Sequence, residues 1–154
     1  MDVTKKVPVR EQAPDVRNKN FDEVCLGYNE EEAVLEASRC INCKNAQCIK
    51  GCPVSINIPA FIHEVKEKNF EAAYKIIGQS SALPAVCGRV CPQESQCEGK
   101  CIRGIKGEAI SIGKLERFVA DWARQNQIKP EKSTEKKNKK VAVIGSGPSG
   151  LTCA

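Results

Sequence analysis

The segment that decides the fold is CINCKNAQCIKGCP, residues 40–53, which places four cysteines close together. A second segment, CGRVCPQESQCEGKC, residues 87–101, places four more cysteines at similarly short spacing. Each segment contains one Cys-Pro step, at Cys52-Pro53 and at Cys91-Pro92. Because a [4Fe–4S] cube takes four ligands from a small volume, this density of thiols predicts iron–sulfur clusters and a role in electron transfer.

The order of the cysteines predicts how two cubes share them. In two-cluster ferredoxins, three closely spaced cysteines hold one cube and the cysteine of the Cys-Pro step reaches across to the other cube. The same crossing gives cluster one the ligands Cys40, Cys43, Cys48 and Cys101. It gives cluster two the ligands Cys52, Cys91 and Cys97 and leaves its fourth ligand open.

Two residues are candidates for the open position. Cys87 is the obvious candidate by its chemistry. Glu116 is a candidate by its position, because a helix over residues 111–126 would place this carboxylate at the edge of an apolar face. A carboxylate there has a desolvation cost unless it is paired or binds a metal. Composition alone favours Cys87, and both alternatives stay open at this point.

Other uses of the cysteines are less well supported. Structural zinc sites usually contain two C-x-x-C pairs, and only Cys40 and Cys43 form one. The N-terminal segment lacks the apolar core of a secretory signal, which predicts a cytoplasmic protein whose thiols stay reduced. We therefore expect metal ligands and not disulfides, and keep a zinc-stabilised, non-enzymatic interaction module as the alternative from a different class.

The net charge of +5 does not indicate a nucleic-acid-binding face. Six lysines and two glutamates of residues 126–140 account for four of these charges, and the rest of the chain is close to neutral. A lysine-rich linker explains this distribution better than a nucleic-acid face, for which no interleaved aromatic residues are present. No apolar stretch is long enough to span a bilayer, so we expect no membrane contact. Aromatic residues make up only 5% of the chain, so a small core should depend on its clusters for stability.

The sequence predicts a mainly α fold in four parts. Residues 1–24 are expected to form an extended N-terminal arm and residues 25–126 a small helical, double-cluster iron–sulfur domain of the α-helical ferredoxin type. Residues 127–140 form the lysine-rich linker. Residues 141–154 are expected to hold the first strand and Gly-rich turn of a truncated Rossmann-type α/β domain that binds FAD or NAD(P).

Local signals place the helices of this domain. Asn29 and Glu32 form a capping box for a helix from Glu30 towards Cys40. Proline and asparagine signals predict helices over residues 60–68 and 70–77, and the apolar stripe predicts a helix over residues 111–126. The cysteine segments, within residues 40–58 and 79–110, are expected to be loops.

The last residues contain a nucleotide-binding signature. A predicted strand, Val141–Ile144, leads into Gly145, Gly147 and Gly150 in a G-x-G-x-x-G pattern. These glycines allow a tight turn, a close approach to a pyrophosphate and close helix packing. Because no full helix and no acidic residue follow in the sequence, we expect only the opening of such a domain, with weak dinucleotide binding by itself.

With these residues in view, the chain resembles the N-terminal iron–sulfur domain of the glutamate synthase small (β) subunit. The same domain recurs in dihydropyrimidine dehydrogenase and in the large subunit of the electron-bifurcating NADH-dependent ferredoxin:NADP oxidoreductase. The likeness covers nearly everything from about Glu11 to the end. Its motifs are ASRCINC (37–43), GCPV (51–54), IPAFI (58–62), GRVCPQE (88–94), QCE (96–98) and IGKLERF (112–118).

The resemblance implies a ligand set and a function. It implies the crossed cysteine ligands given above, with Glu116 in place of Cys87 as the fourth ligand of cluster two. In the full-length protein, NAD(P)H would reduce FAD in the C-terminal flavin domain, and two [4Fe–4S] clusters would pass single electrons to a partner flavoprotein. In glutamate synthase the partner is the large subunit, whose FMN reduces 2-iminoglutarate to glutamate. The alternative within the same class is the large subunit of the electron-bifurcating NADH-dependent ferredoxin:NADP oxidoreductase. We do not expect this fragment alone to be catalytic. A homodimer is one assembly to test.

Overall fold

The computed structural model describes residues 2–130, 135 and 139–154. It is mainly helical, as the sequence predicts, with one small sheet. The eight α-helices of the described residues are α1 (Pro14–Arg17), α2 (Glu30–Ala37), α3 (Gln47–Gly51), α4 (Ile58–Lys66), α5 (Phe70–Gly78), α6 (Pro84–Val90), α7 (Ile112–Gln125) and α8 (Pro148–Cys153). Two short 3₁₀ turns, Glu98–Lys100 and Ile102–Ile105, lie between α6 and α7. None of the helices in these described ranges has the length and apolar run needed to cross a membrane.

The predicted helix starts are present. Helix α2 begins at the predicted capping box, in which the Asn29 side chain accepts from the Glu32 amide and the Glu32 carboxylate accepts from the Asn29 amide. Two backbone N–H groups at the helix start, which have no acceptor within the helix, are thereby hydrogen-bonded. Pro59 lies in the first turn of α4, where its missing N–H costs no helical hydrogen bond. Asn69 precedes α5 but makes no side-chain capping bond.

The N-terminal segment is not uniformly extended. Strand β1 (Arg10–Glu11) pairs antiparallel with β2 (Cys25–Gly27), with Arg10 opposite Gly27 and Glu11 opposite Cys25. Helix α1 forms a single turn between the two strands. The Tyr28 hydroxyl donates to the Val7 carbonyl over 2.8 Å, which ties this segment to the start of the helical domain.

The core lies where α2, α4, α5 and α7 meet. Its fully buried members include Phe61, Val65, Ile77 and Leu115. The aromatic rings are concentrated at one end, where Phe70 meets the ring of Phe118 edge-on at a centroid distance of 5.1 Å. This small core holds α7 against the rest of the domain, and α7 carries Glu116.

Both cysteine segments contain a helix where the sequence predicts a loop. Residues 79–110 were expected to be a loop, but they contain α6, which carries Cys87 and has Pro84 in its first turn. Residues 40–58 contain α3, which carries Cys48. Glycine and proline suggested loops here, whereas Pro84 suits a helix start and Gly88 permits close packing of α6 on α7.

The structure does not form the predicted strand over residues 141–144, because no described segment pairs with these residues. Within the Gly-rich segment, Gly145 has a φ of 111°, and a Cβ on Gly150 would collide with the carbonyl oxygen of Gly145. Helix α8 then begins at Pro148. Half of the lysine-rich linker, including Lys132, Lys136 and Lys137, lies outside the described residues.

Candidate metal centre

The first candidate site is a cavity of about 100 Å³ whose wall contains four thiols from both cysteine segments. Three thiols come from residues 40–48, at the end of α2 and the start of α3. The fourth, Cys101, lies between the two 3₁₀ turns. Most of the remaining wall is apolar. The four residues that the sequence assigns to cluster one, Cys40, Cys43, Cys48 and Cys101, are thus gathered around one space.

The thiols of this first site influence one another electrostatically. The pKa of Cys48 is raised to about 11, mainly by burial and also by the nearby Cys101 and Cys40. Burial also raises the pKa of Cys40, while Cys101 and Cys43 act in the same direction. Without a metal, the thiolate forms are therefore disfavoured at neutral pH. Metal ligation reverses this preference because it requires deprotonated thiols.

Two arginines fix the backbone beside the first site. Arg103 lines the cavity and donates from Nε to the Arg39 carbonyl over 2.8 Å. Arg39 is fully buried, forms an ion pair with Glu36 and donates to the Glu108 carbonyl over 2.6 Å. Since Arg39 directly precedes Cys40, these bonds hold the first cysteine of the site in position.

The second candidate site brings together residues from four parts of the chain. Burial raises the pKa of Cys91 to about 11, and the further contributions come from Cys87, Glu116 and Cys52. Burial likewise raises the pKa of Cys97 to about 12, with Glu98, Cys52 and Glu116 acting in the same direction. Cys52 and Glu116 thus each act on both Cys91 and Cys97, and these four are the residues that the sequence assigns to cluster two.

Glu116 is the most unusual side chain of this second site. It is only 7% exposed, and its Oε1 has no hydrogen-bond partner. Burial raises the pKa of its carboxyl group to about 7. A buried carboxylate oxygen without a partner is costly unless it binds something that the protein itself does not supply. The carboxylate thus suits a metal ligand beside the three thiols.

Close backbone approaches bring the cysteine segments together. A Cβ on Gly51 would lie 2.6 Å from the carbonyl oxygen of Gln96, so the residues before Cys52 and Cys97 are in direct contact. A Cβ on Gly88 would lie 2.7 Å from the backbone nitrogen of Arg117. Only glycine permits these approaches, because any larger residue would push the segments apart.

Some supporting residues were not found from the sequence. Gln93 donates from Nε2 to the Cys87 carbonyl over 3.1 Å, and its own carbonyl accepts from Glu98 and Gly99. The Arg39–Glu36 pair was also missed, because an i,i+3 pair of opposite charge is typical of an exposed helix face. Among the described residues, no three histidine, cysteine, aspartate or glutamate side chains are close enough to hold a single metal ion. The thiols of the first site line a cavity and do not meet at one point.

The fold and the donor groups define a helical domain suited to iron–sulfur clusters. The family model for dihydropyrimidine dehydrogenase domain II, 4Fe-4S cluster, matches residues 17–128. The chain belongs to this family, which confirms the resemblance drawn from its motifs.

Curated relatives agree with this assignment. The chain is 40% identical to the AegA protein of Escherichia coli (strain K12), over 92% of this chain and 22% of the relative. It is 38% identical to the glutamate synthase [NADPH] small chain of Halomonas elongata, over 100% of this chain and 33% of the relative. It is 39% identical to the NAD-dependent dihydropyrimidine dehydrogenase subunit PreT of E. coli (strain K12), over 85% of this chain and 32% of the relative. The chain thus spans between about a fifth and a third of the length of these relatives.

Proposed function

We propose that this domain holds two [4Fe–4S] clusters and serves as the electron-transfer part of an NAD(P)H-dependent flavin and iron–sulfur oxidoreductase. The observation that carries the proposal is the cavity lined by cysteines from both segments. In the proposal its four thiolates bind cluster one: Cys40, Cys43, Cys48 and Cys101. The second cluster is bound by three thiolates and one carboxylate: Cys52, Cys91, Cys97 and Glu116.

The choice of Glu116 over Cys87 follows from its unsatisfied oxygen. Glu116 Oε1 is buried without a partner, whereas Cys87 already accepts a weak hydrogen bond from Ser81 Oγ at 3.9 Å. A metal bond at Oε1 would remove the penalty of burying this carboxylate. The family resemblance points to the same residue.

A [4Fe–4S] cluster supplies one-electron transfer when it is bound, with a potential set by its ligands and surroundings. The residues of this chain would bind the clusters, hold them at fixed positions and limit their contact with water. The apolar wall of the first cavity serves the last of these roles. Such a domain would accept electrons one at a time from a reduced flavin, which divides the electron pair of the hydride donor.

We propose the small subunit of glutamate synthase as the full-length protein. The support is 38% identity to such a chain over all of this sequence. In this proposal FAD accepts hydride from NAD(P)H in a C-terminal domain whose pyrophosphate-binding turn includes Gly145, Gly147 and Gly150. The partner would be the large glutamate synthase subunit.

A second candidate function is a subunit of an NAD-dependent dihydropyrimidine dehydrogenase. The 39% identity to PreT and the description of the matched family favour it. The two candidates share the electron-transfer domain and differ in the partner that receives the electrons.

The experiment is anaerobic purification of the full-length protein, followed by assays with each partner subunit. Two cubes require about eight iron atoms and about eight sulfides per chain. Zinc in a colourless sample, with no iron, would contradict the cluster proposal in favour of an interaction module. NAD(P)H-dependent glutamate formation from 2-oxoglutarate and glutamine would support glutamate synthase, while NADH-dependent uracil reduction would support the second candidate.

A further inference from the structure

One thiol of the second cysteine segment has no role in the ligand set proposed above. Cys87 lies on α6 one turn before Cys91, and the Cys91 amide donates to the Cys87 carbonyl over 3.1 Å. The nearby Cys87 thiol also raises the pKa of Cys91. Cys87 is partly buried, and its sulfur accepts a weak hydrogen bond from Ser81 Oγ at 3.9 Å.

The unpartnered carboxylate comes from the opposite helix. Glu116 on α7 directly precedes Arg117, and Cys87 on α6 directly precedes Gly88. The backbones of Gly88 and Arg117 are in contact. This contact brings the segment that carries Cys87 close to the segment that carries Glu116. Both Cys87 and Glu116 raise the pKa of Cys91.

We propose that Cys87 is a reserve ligand, so that either Glu116 or Cys87 can complete the second cluster site. The inference rests on the proposed function, because it requires a [4Fe–4S] cluster bound by Cys52, Cys91 and Cys97. It assigns a use to a thiol that the three-cysteine, one-carboxylate ligand set leaves out.

Replacement of Glu116 by Cys87 as the fourth ligand needs no oxidant and no reductant. The bond from iron to the Glu116 oxygen breaks, and a bond from the same iron to the Cys87 sulfur forms. The thiol proton passes to the released carboxylate. One singly charged ligand replaces another, so the charge of the ligand set is unchanged while its donor atom changes from oxygen to sulfur. Because ligand type and hydrogen bonds tune cluster potentials, the two forms should differ in potential and in their paramagnetic resonance spectrum.

The test compares Glu116→Ala, Cys87→Ala and the double variant in the full-length protein purified without oxygen. Each single variant should keep about eight iron atoms per chain, and the double variant should fall to about four. Glu116→Ala should also change the spectrum and the midpoint potential of one cluster, because sulfur then replaces oxygen. Cys87→Ala should leave the potential of the first cluster unchanged.

Two results would overturn the inference. If Glu116→Ala alone fell to about four iron atoms, Cys87 would be unable to replace the carboxylate. If Glu116→Ala left spectrum and potential unchanged, the carboxylate would not be a ligand and no exchange would exist. The signal of the first cluster in each sample shows that the domain is folded. A wild-type protein without iron would instead contradict the proposed function, so the two failures are distinguishable.

Discussion

Gly88 on α6 contacts the backbone of Arg117 on α7 so closely that a Cβ on Gly88 would lie 2.7 Å from the Arg117 nitrogen and 2.8 Å from its Cα. Real side chains do not approach a backbone so closely, so this contact requires glycine. Since Cys91 ends α6 and Glu116 lies on α7, the spacing of the two helices sets the geometry of the second site.

Gly88→Ala should therefore weaken the second site. Alanine favours a helix over glycine by about 1 kcal/mol, but forcing a methyl group against a rigid backbone costs about 1 to 3 kcal/mol. We expect a lower unfolding free energy and a loss of up to about four of about eight iron atoms per chain. Iron analysis and denaturant unfolding without oxygen measure both effects.

Gly78→Ala is the matched control. Gly78 ends α5, and a Cβ there would have no atom within 4 Å. This variant should keep its iron and gain up to about 1 kcal/mol of stability from helix propensity. Equal iron content in the two variants would show that the Gly88 contact does not control the second site.

Cys101→Ser tests the crossing of ligands between the two cysteine segments. Cys101 belongs to the second segment by sequence but lines the cavity of the first site. The variant should lose the same cluster signal as Cys43→Ser and keep the signal lost in Cys91→Ser. Electron paramagnetic resonance of the reduced proteins provides the comparison.

Cys25→Ser is the control for this series. Cys25 lies on β2, outside both cysteine segments, and should keep both signals. A Cys101→Ser spectrum that matches Cys91→Ser would show that each segment binds its own cluster.

Much of the fold could be predicted because its signals are local. The capping box of Asn29 and Glu32, the position of Pro59 and the apolar stripe of α7 each depend on residues within a few turns. The position of Cys101 beside the first segment agrees with the ligand pattern of two-cluster ferredoxins, and its role as a ligand stays a prediction.

The features that were missed depend on contacts between distant residues. Gly88 and the nearby prolines suggested a loop, but the packing of α6 against α7 outweighs helix propensity there. The strand predicted over residues 141–144 has no pairing partner among the described residues, and a strand needs one. The buried role of Arg39 depends on carbonyls about 70 residues away, which no local pattern reveals.

Asn29→Ala should reduce stability through the loss of one cap. Its side chain accepts from the Glu32 amide at 2.8 Å, and removal of such a cap costs about 1 kcal/mol. Asn69→Ala should lower the free energy of unfolding by less, because Asn69 makes no side-chain capping bond at the start of α5. Denaturant unfolding of both variants measures the difference, and an equal loss would show that the capping box does not stabilise α2.

The buried pair of Glu36 and Arg39 provides the sharpest stability test. Both side chains are 0% exposed, and the Glu36 carboxylate also accepts from the amides of Val7 and Ser111 at 2.8 Å each. Glu36→Leu leaves the buried Arg39 guanidinium without its counter-ion, which should lower the free energy of unfolding by about 3 to 5 kcal/mol. The double variant Glu36→Leu/Arg39→Met should be more stable than Glu36→Leu, because it removes the uncompensated charge as well.

Glu71→Ala serves as the exposed counterpart. Glu71 pairs with Lys75 at 2.9 Å on α5, but both side chains are about half exposed. Glu71→Ala should therefore lower the free energy of unfolding by less than about 1 kcal/mol. Unfolding of all three variants in urea, with clusters bound and oxygen excluded, gives the free energies. A double variant less stable than Glu36→Leu would mean that the bonds from Arg39 to the carbonyls of Glu108 and Ala109 outweigh the cost of its unpaired charge. Arg39 would then hold Cys40 in place chiefly through these backbone carbonyls, and its ion pair with Glu36 would be secondary.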